Sequence, residues 1–456
     1  MPVVATDLGG ISLYGWVFSA FFLGDLVGIV AAGQQADTHG LVRPYLMGLG
    51  LFAVGLTIGG LAPSMPVLVV ARGVQGLGAG AIPAVGYVSI ARQYPPGLRP
   101  RMFAILSTAW VVPGIAGPAL AGLVAAQVSW RAVFLGLLPL VVVAAVLTVP
   151  SLGRVVHPGA TVPADTDGAN HGTERPRLAE AVPARRSAGR SSGGVARLID
   201  AVRVAVGAGL VLGALDSHQP VPLLALGGVG SAIALPSLRR LLPDGALRGR
   251  TGLPATVLLR GVLTFGFTGA EAFVPLMLVS LRGMSTAQAG LSLTAATLTW
   301  AVGSWVQARR IATWGARRLI RLGLALVVCG IGLIAVATGP GVPVWIGVGA
   351  WGVAGLGMGL SYAAITLLVL HQAPRSRQGE ATAGLQLSDV LGTALGAGVG
   401  GVVLALAPSI GWDERGALLL TFGIATVAVV GGLVLTSRLG ADAGPGRAGA
   451  PERRPA

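Results

Sequence analysis

Residues 68–80 read LVVARGVQGLGAG, a single arginine set in an uncharged apolar run and followed by a glycine at every second or third position. An unaccompanied guanidinium deep in hydrocarbon costs several kcal/mol, so Arg72 persists in such a run only where it faces a protein-lined cavity or a partner. The stretch therefore points to a chain that threads a membrane and keeps a polar pathway through it.

The composition agrees. Of 456 residues, 53% are hydrophobic and 11% charged, the mean hydropathy is +0.77, and 72 residues are glycine, which suits close helix packing in lipid. The formal charge of +15 does not mark a nucleic-acid surface. All 32 basic residues are arginine, scattered between apolar segments rather than gathered on one face. Cys329 stands alone, so no disulfide forms within the chain.

Thirteen segments approach the ~20 residues needed to cross ~30 Å of hydrocarbon. They lie near 12–33, 44–62, 65–91, 102–126, 131–150, 199–215, 221–238, 254–281, 286–308, 319–338, 342–370, 380–406 and 416–436. One alternate set of connections holds Arg43, Arg92, Arg99, Arg101, the arginines between 154 and 203, Arg239, Arg240, Arg248, Arg250, those between 309 and 321, Arg375, Arg377 and those from 438 onward. The other set holds only Arg131, Arg282 and Arg415, while Arg72 and Arg260 fall inside spans. The positive-inside rule makes the first set cytoplasmic, which puts the C-terminus inside and, with an odd number of spans, the N-terminus outside. No signal peptide with a charged n-region and an apolar h-region accounts for an external N-terminus. The expected arrangement therefore has one more span upstream of Met1, fourteen in all; a thirteen-span chain with its N-terminus outside is the alternative.

Five organisational units follow. Residues 1–150 form a first helical bundle, and 151–197 are a cytoplasmic linker whose Arg, Pro, Ser and Gly content is that of disorder. Residues 198–252 hold two extra central spans and a loop, 253–437 a second bundle of six helices, and 438–456 a disordered cytoplasmic tail. Two six-helix halves are a common plan among transporters.

Four motifs lie in order between residues 33 and 139. The first is Gly33-Gln-Gln-Ala-Asp37-Thr-His-Gly40-Leu-Val-Arg43, and the second is Leu68-x-x-x-Arg72-x-x-Gln75-Gly76-x-Gly78-Ala79-Gly80. The third is Gly114-x-x-x-Gly117-Pro118-x-x-Ala121-Gly122, and the fourth is Ser129-Trp130-Arg131 followed by Phe134, Leu135 and Pro139. Physically, the glycines permit tight turns and close helix approach, Pro118 bends its helix, and an Asp at a helix end can accept charge-assisted bonds.

Together these residues resemble the major facilitator superfamily, in particular its branch of fourteen-span drug:proton antiporters. The resemblance implies an all-α polytopic membrane protein with two bundles. It also implies that Asp37, with Gly33, Gly40 and Arg43, serves a cytoplasmic gate, although the family's basic residues are thinned here. It implies that Arg72 serves proton coupling or the orientation of the central cavity, where an arginine snorkelling to the outer headgroups is the plain alternative. Gly114, Gly117, Pro118 and Gly122 match the fifth-helix motif of antiporters and suit a hinge, with simple helix packing as the alternative. The Ser-Trp-Arg motif fits an interfacial anchor and takes no catalytic role. In the second half Gly303, Arg309, Arg310 and Gly315 occupy the place of the loop motif, without an Asp.

Three carboxyls fall inside spans: Asp25, Glu271 and Asp389. A buried carboxyl can take up a proton and release it when a cation approaches, the chemistry that coupled antiport requires. Glu271 ranks first for proton or substrate contact, Asp25 second and Asp389 third; a structural hydrogen bond is the alternative for each. Arg260 precedes Glu271 by eleven residues, about three helical turns, so the two share a face ~16 Å apart and are not a simple ion pair. Trp300, Trp305, Tyr362 and Phe265 can line an apolar cavity or serve lipid contact and packing.

No metal-ligand spacing, nucleotide loop or nucleophile constellation stands out, so no cofactor, metal or enzymatic centre is expected. The reading is a secondary transporter in the cell membrane. Its partners are protons and a small amphiphilic substrate, such as a lipophilic cation, exported by alternating access. A transporter of a specific metabolite, or a membrane scaffold or sensor that keeps the fold without transporting, are the alternatives.

Overall fold

The computed structural model describes residues 2–94, 98, 102, 111–153, 188–215, 220–374 and 378–440. Sixteen α-helices, and no strand, are found among them. Helices α1 (Pro2–Leu8), α2 (Tyr14–His39), α3 (Val42–Gly60), α4 (Met65–Gln93), α5 (Val111–Gln127), α6 (Trp130–Leu135) and α7 (Leu138–Gly153) make the first bundle. Helices α8 (Ala188–Leu215) and α9 (Pro220–Leu241) form a hairpin. The second bundle contains α10 (Leu253–Glu271), α11 (Val274–Ser280), α12 (Thr286–Trp314), α13 (Ala316–Ala337), α14 (Trp345–Gln372), α15 (Gln378–Leu406) and α16 (Glu414–Leu435).

Each of the thirteen predicted spans is occupied by a helix, and ten of the spans are long and apolar enough to cross a membrane by length and composition. The three outside that group are α5, α9 and α12. Two spans are broken. The segment 131–150 becomes α6 and α7, and the segment 254–281 becomes α10 and α11, interrupted directly after Glu271. Pro275 explains the second break, because it has no N–H to offer the Glu271 carbonyl. Helix α8 begins at Ala188, so residues 188–197 are helical rather than part of the linker; residues 154–187 and 441–456 of the expected linker and tail lie outside the described residues.

Local chemistry sets the helix ends. Ser285 and Gln288 form a reciprocal capping box on α12, and Asp413 accepts the Gly416 N–H at 2.8 Å to open α16. Gly40 closes α2 at a φ of 78°, where a side chain would be strained. The outward faces carry exposed apolar residues such as Leu147, Leu224, Val427 and Val434, which a lipid environment accommodates.

In the first bundle α4 packs between α2 and α3 almost without side chains. A β-carbon on Gly76 would overlap the Phe21 carbonyl oxygen, and one on Gly80 the Asp25 carbonyl; one on Gly78 would overlap the backbone of α3 at Phe52. The glycines of the second motif are therefore packing surfaces on two faces of one helix. The bundles meet where α2 lies on α15 and α5 on α12. Tyr14 donates to the Ala272 carbonyl at 3.0 Å, Ser19 to the Ala394 carbonyl at 2.8 Å, and Gly15 abuts Gly401. Gly122 abuts Thr286 and Ala287, and Gly114 abuts Thr297. These contacts run from the end of the molecule opposite the arginine-rich loops toward its middle.

The hairpin α8/α9 is not a free appendage. Its helices cross at Gly207 and Gly230, and α8 lies along α2, with Leu212 against Gly398 of α15 at the seam between the bundles. Buried Asp200 accepts from Ser237 at 2.9 Å and pairs with Arg240 at 3.4 Å and Arg203 at 3.8 Å, clamping the arginine-rich end of the hairpin.

Candidate functional site in the second bundle and its seam

Helix α10 places Arg260, Thr264, Phe267 and Glu271 at positions i, i+4, i+7 and i+11, one stripe of a helix. Arg260 is only 2% exposed. Its guanidinium lies 3.3 Å above the centre of the Tyr362 ring, and Nη2 donates to Thr366. The Tyr362 hydroxyl donates to Asp389 Oδ2 at 2.6 Å, and Thr264 donates to the Asp389 backbone carbonyl at 3.0 Å. Tyrosine thus stands between the cation and the carboxylate: the carboxylate draws on the hydroxyl, which enriches the ring face that the guanidinium covers. Arg260 Nε and Nη1 and Asp389 Oδ1 are buried without hydrogen-bond partners. Charged groups held this deep with unused valences are costly, and such residues in a span mark function.

A line of rings runs from this cluster to Glu271. Tyr362 lies 5.4 Å from Trp300, Trp300 meets Phe267 edge-on at 5.8 Å, and Phe267 stacks on Trp351 at 4.9 Å with an interplanar angle of 18°. Trp351, fully buried, sits beside Glu271, within electrostatic reach although its Nε1 meets no hydrogen-bond geometry. Arg260 and Glu271 are three turns apart, as the spacing requires, and the ring contacts run from Tyr362 at the Arg260 end to Phe267 and Trp351.

The first bundle contributes Arg72 and Asp25. Arg72 Nε donates to the Val17 carbonyl at 3.2 Å, Nη1 donates to Gln75 Oε1, and the guanidinium lies 4.2 Å above Phe21. These three partners, a carbonyl, an amide and a ring, are all neutral. Asp25 sits on α2 where Gly80 packs, and α2 lies against α15, the helix that carries Asp389. The site candidates thus fall into four places: Asp389 with Arg260 in the second bundle, Asp25 on the facing helix α2, Glu271 at the far end of the ring line, and Arg72 inside the first bundle.

The remaining expected residues are placed as follows. Asp37 is in the last turn of α2, with its side chain outside the described residues; Gly40 makes the turn and Arg43 is exposed. A β-carbon on Gly33 or on Gly117 would meet nothing within 4 Å, so the loop motif's glycine requirement is the positive φ of Gly40, and close approach at the hinge motif rests on Gly114 and Gly122. The Pro118 side chain lies outside the described residues. Ser129 caps α6, while Trp130 Nε1 and Arg131 donate to Asp7 at 2.8 and 3.0 Å. The Trp130 bond, followed by Arg131, holds the Asp7 carboxyl below its ordinary value of 3.8. Trp305 is exposed under Arg309, and Phe265 lines a small cavity of about 10 Å³ inside the second bundle. Phe267 and Trp351 escaped the sequence reading. The stripe through 260, 264, 267 and 271 was the available signal for Phe267; for Trp351 there was none, because its partners are on another helix. No group of three metal-ligating side chains occurs among the described residues.

The sequence profile of the Major Facilitator Superfamily matches residues 1–397. The chain is 26% identical over 425 residues to a probable multidrug-efflux transporter of Mycobacterium tuberculosis, covering 89% of this chain and 82% of that protein. It is 23% identical over 414 residues to the multidrug transporter protein MdtP of Bacillus subtilis, covering 89% and 71%. Among solved structures, the POT family transporter PepTSo superposes with a TM-score of 0.63 at 16% identity, covering 94% of this chain and 89% of that one. The xylose transporter XylE from E. coli, in a partially occluded inward-open conformation, superposes with a TM-score of 0.60 at 14% identity, covering 96% and 89%; at such identities these two likenesses bear on the fold alone. With its two helical bundles, its motifs and this match, the chain belongs to the major facilitator superfamily.

Proposed function

We propose that this protein is a secondary transporter of the cell membrane that exports amphiphilic, cationic small molecules in exchange for protons by alternating access. The observation that carries the reading is the buried cluster of Arg260, Tyr362 and Asp389 with a line of aromatic rings leading from it, Asp389 lying on a helix that packs against α2, the helix of Asp25. Carboxyls in an apolar setting can exchange a proton for a cationic ligand, and ring faces offer the apolar and cation–π contact that such a ligand needs. Glu271, at the other end of the ring line and at a helix break, is the first proton-carrying group, with Asp25 and Asp389 at the seam. Arg72 orients the first bundle's side of the pathway, Asp37 with Arg43 serves the cytoplasmic gate, and Gly114 and Gly122 the hinge. The named activity of the multidrug-efflux relatives supports the substrate class.

Proton flux in inverted vesicles, recorded while lipophilic cations are added, tests this. Flux that disappears in Glu271→Gln and in Asp389→Asn is the expected result. Absence of flux with every compound, from protein shown to be inserted, overturns drug antiport.

A further inference from the structure

The connection between α9 and α10 builds a cleft of about 400 Å³, lined by Arg239, Leu242, Pro243, Asp244, Arg248 and Arg250 among others. This is within the size range of sites that hold small ligands. The loop is shaped rather than loose. Gly245, Gly249 and Gly252 adopt φ values of 83°, 56° and 87°, the Arg250 N–H donates to the Gly245 carbonyl at 3.2 Å, and Arg438 donates to the carbonyls of Arg248 and Gly249. Three guanidiniums are thereby presented from two elements. Arg240 and Arg203 are engaged by Asp200, but Arg239, Arg248 and Arg250 have no carboxylate partner among the described residues, and Asp244 pairs with none of them.

The cleft has a second character. Leu242, Pro243 and Ala246 give it an apolar wall, and it lies at the foot of α9, whose outward face exposes Leu224, Val229 and Leu235. A ligand matching both parts has a negative head and a hydrocarbon body lying along the helix. The arginine asymmetry of the chain puts this end at the leaflet where anionic lipids attract basic residues. We propose that this cleft binds the phosphate headgroup of an anionic phospholipid, with Arg239, Arg248 and Arg250 holding the phosphate and the outer face of α9 carrying the acyl chains. A free phosphate ester shares the headgroup chemistry but makes no use of the apolar wall.

The test uses the full chain in detergent, with dioleoylphosphatidylglycerol, dioleoylphosphatidylcholine and inorganic phosphate as probes. Bound lipid is counted by native mass spectrometry, and the unfolding midpoint is followed as each probe is titrated. Phosphatidylglycerol is expected to bind and raise the midpoint while phosphatidylcholine does not. The variant Arg239→Gln/Arg248→Gln/Arg250→Gln is expected to bind it on the order of a hundredfold more weakly, and Arg248→Gln alone about fivefold. The charge-matched variant Arg309→Gln/Arg310→Gln/Arg318→Gln should keep the native affinity. Equal weakening in both triple variants, or in neither, overturns the site; the single Arg248 variant decides the matter if the triple variant does not fold. A full midpoint shift with inorganic phosphate alone keeps the phosphate chemistry and overturns the lipid as occupant.

Discussion

Arg72 in α4 and Arg260 in α10 both rest on an aromatic ring, 4.2 Å above Phe21 and 3.3 Å above Tyr362, yet their surroundings differ. Arg72 is half-buried, and a carbonyl and an amide meet it on helices locked together by glycine. Arg260 is fully buried, two of its nitrogens lack partners, and it is tied through one tyrosine to a carboxylate that is itself incompletely satisfied. In the first bundle the arginine is an addition to a close-packed frame. In the second it is part of a polar circuit that other side chains depend on.

The largest effect should come from breaking that circuit. Arg260→Gln leaves Asp389 without its cation and should cost about 3 kcal/mol, whereas Arg72→Gln should cost about 1 kcal/mol, both read from unfolding in mixed micelles. Equal losses would erase the contrast. The frame itself is tested next: Gly76→Ala forces α2 and α4 apart and should cost about 2 kcal/mol, while Gly33→Ala, facing open space, should be neutral or slightly stabilising in the same assay. Tyr362→Phe keeps the ring under Arg260 and removes the bond to Asp389, so a loss of about 1.5 kcal/mol is expected. A double-mutant cycle with Asp389→Asn should show that the two changes are not additive.

The smallest effect lies far from both arginines, at the clasp of Asp7 on Trp130 and Arg131. Its carboxyl is lowered in the folded state, so the clasp is fully present above pH ~4 and is lost as pH falls through the lowered value. Hydrogen exchange of residues 2–13 should accelerate on that descent in the native chain, while Asp7→Asn should show fast exchange at every pH.

The contrast also explains what could be read from residues alone. Arg72 was conspicuous because everything around it is apolar, and the glycines that follow it announce close packing at fixed spacing. The helix positions were legible for the same reason: a segment that spans lipid must be apolar throughout. That uniformity hides rotation, so nothing local says that Tyr362 stands between Arg260 and Asp389, three side chains from three helices. Both broken spans were read as continuous although each carried a local signal: Pro275 has no N–H for the Glu271 carbonyl, and Pro139 none for the carbonyl of Leu135. Trp300 and Tyr362 were noticed as aromatics, but their place in a line with Phe267 and Trp351 exists only once α10, α12 and α14 are assembled.

The glycine contact between α2 and α4 has a mechanical consequence. With Gly24, Gly28, Gly76 and Gly80 set against bare backbone, the two helices have no side-chain layer in which to slip, so they behave as one stiff lever. Asp25 and Arg72 ride on that lever together, and Asp389 rides on the other side of the seam. The bonds from Tyr14 to the Ala272 carbonyl and from Ser19 to the Ala394 carbonyl are therefore the pins of that lever: any turn of one bundle against the other has to break or re-aim them.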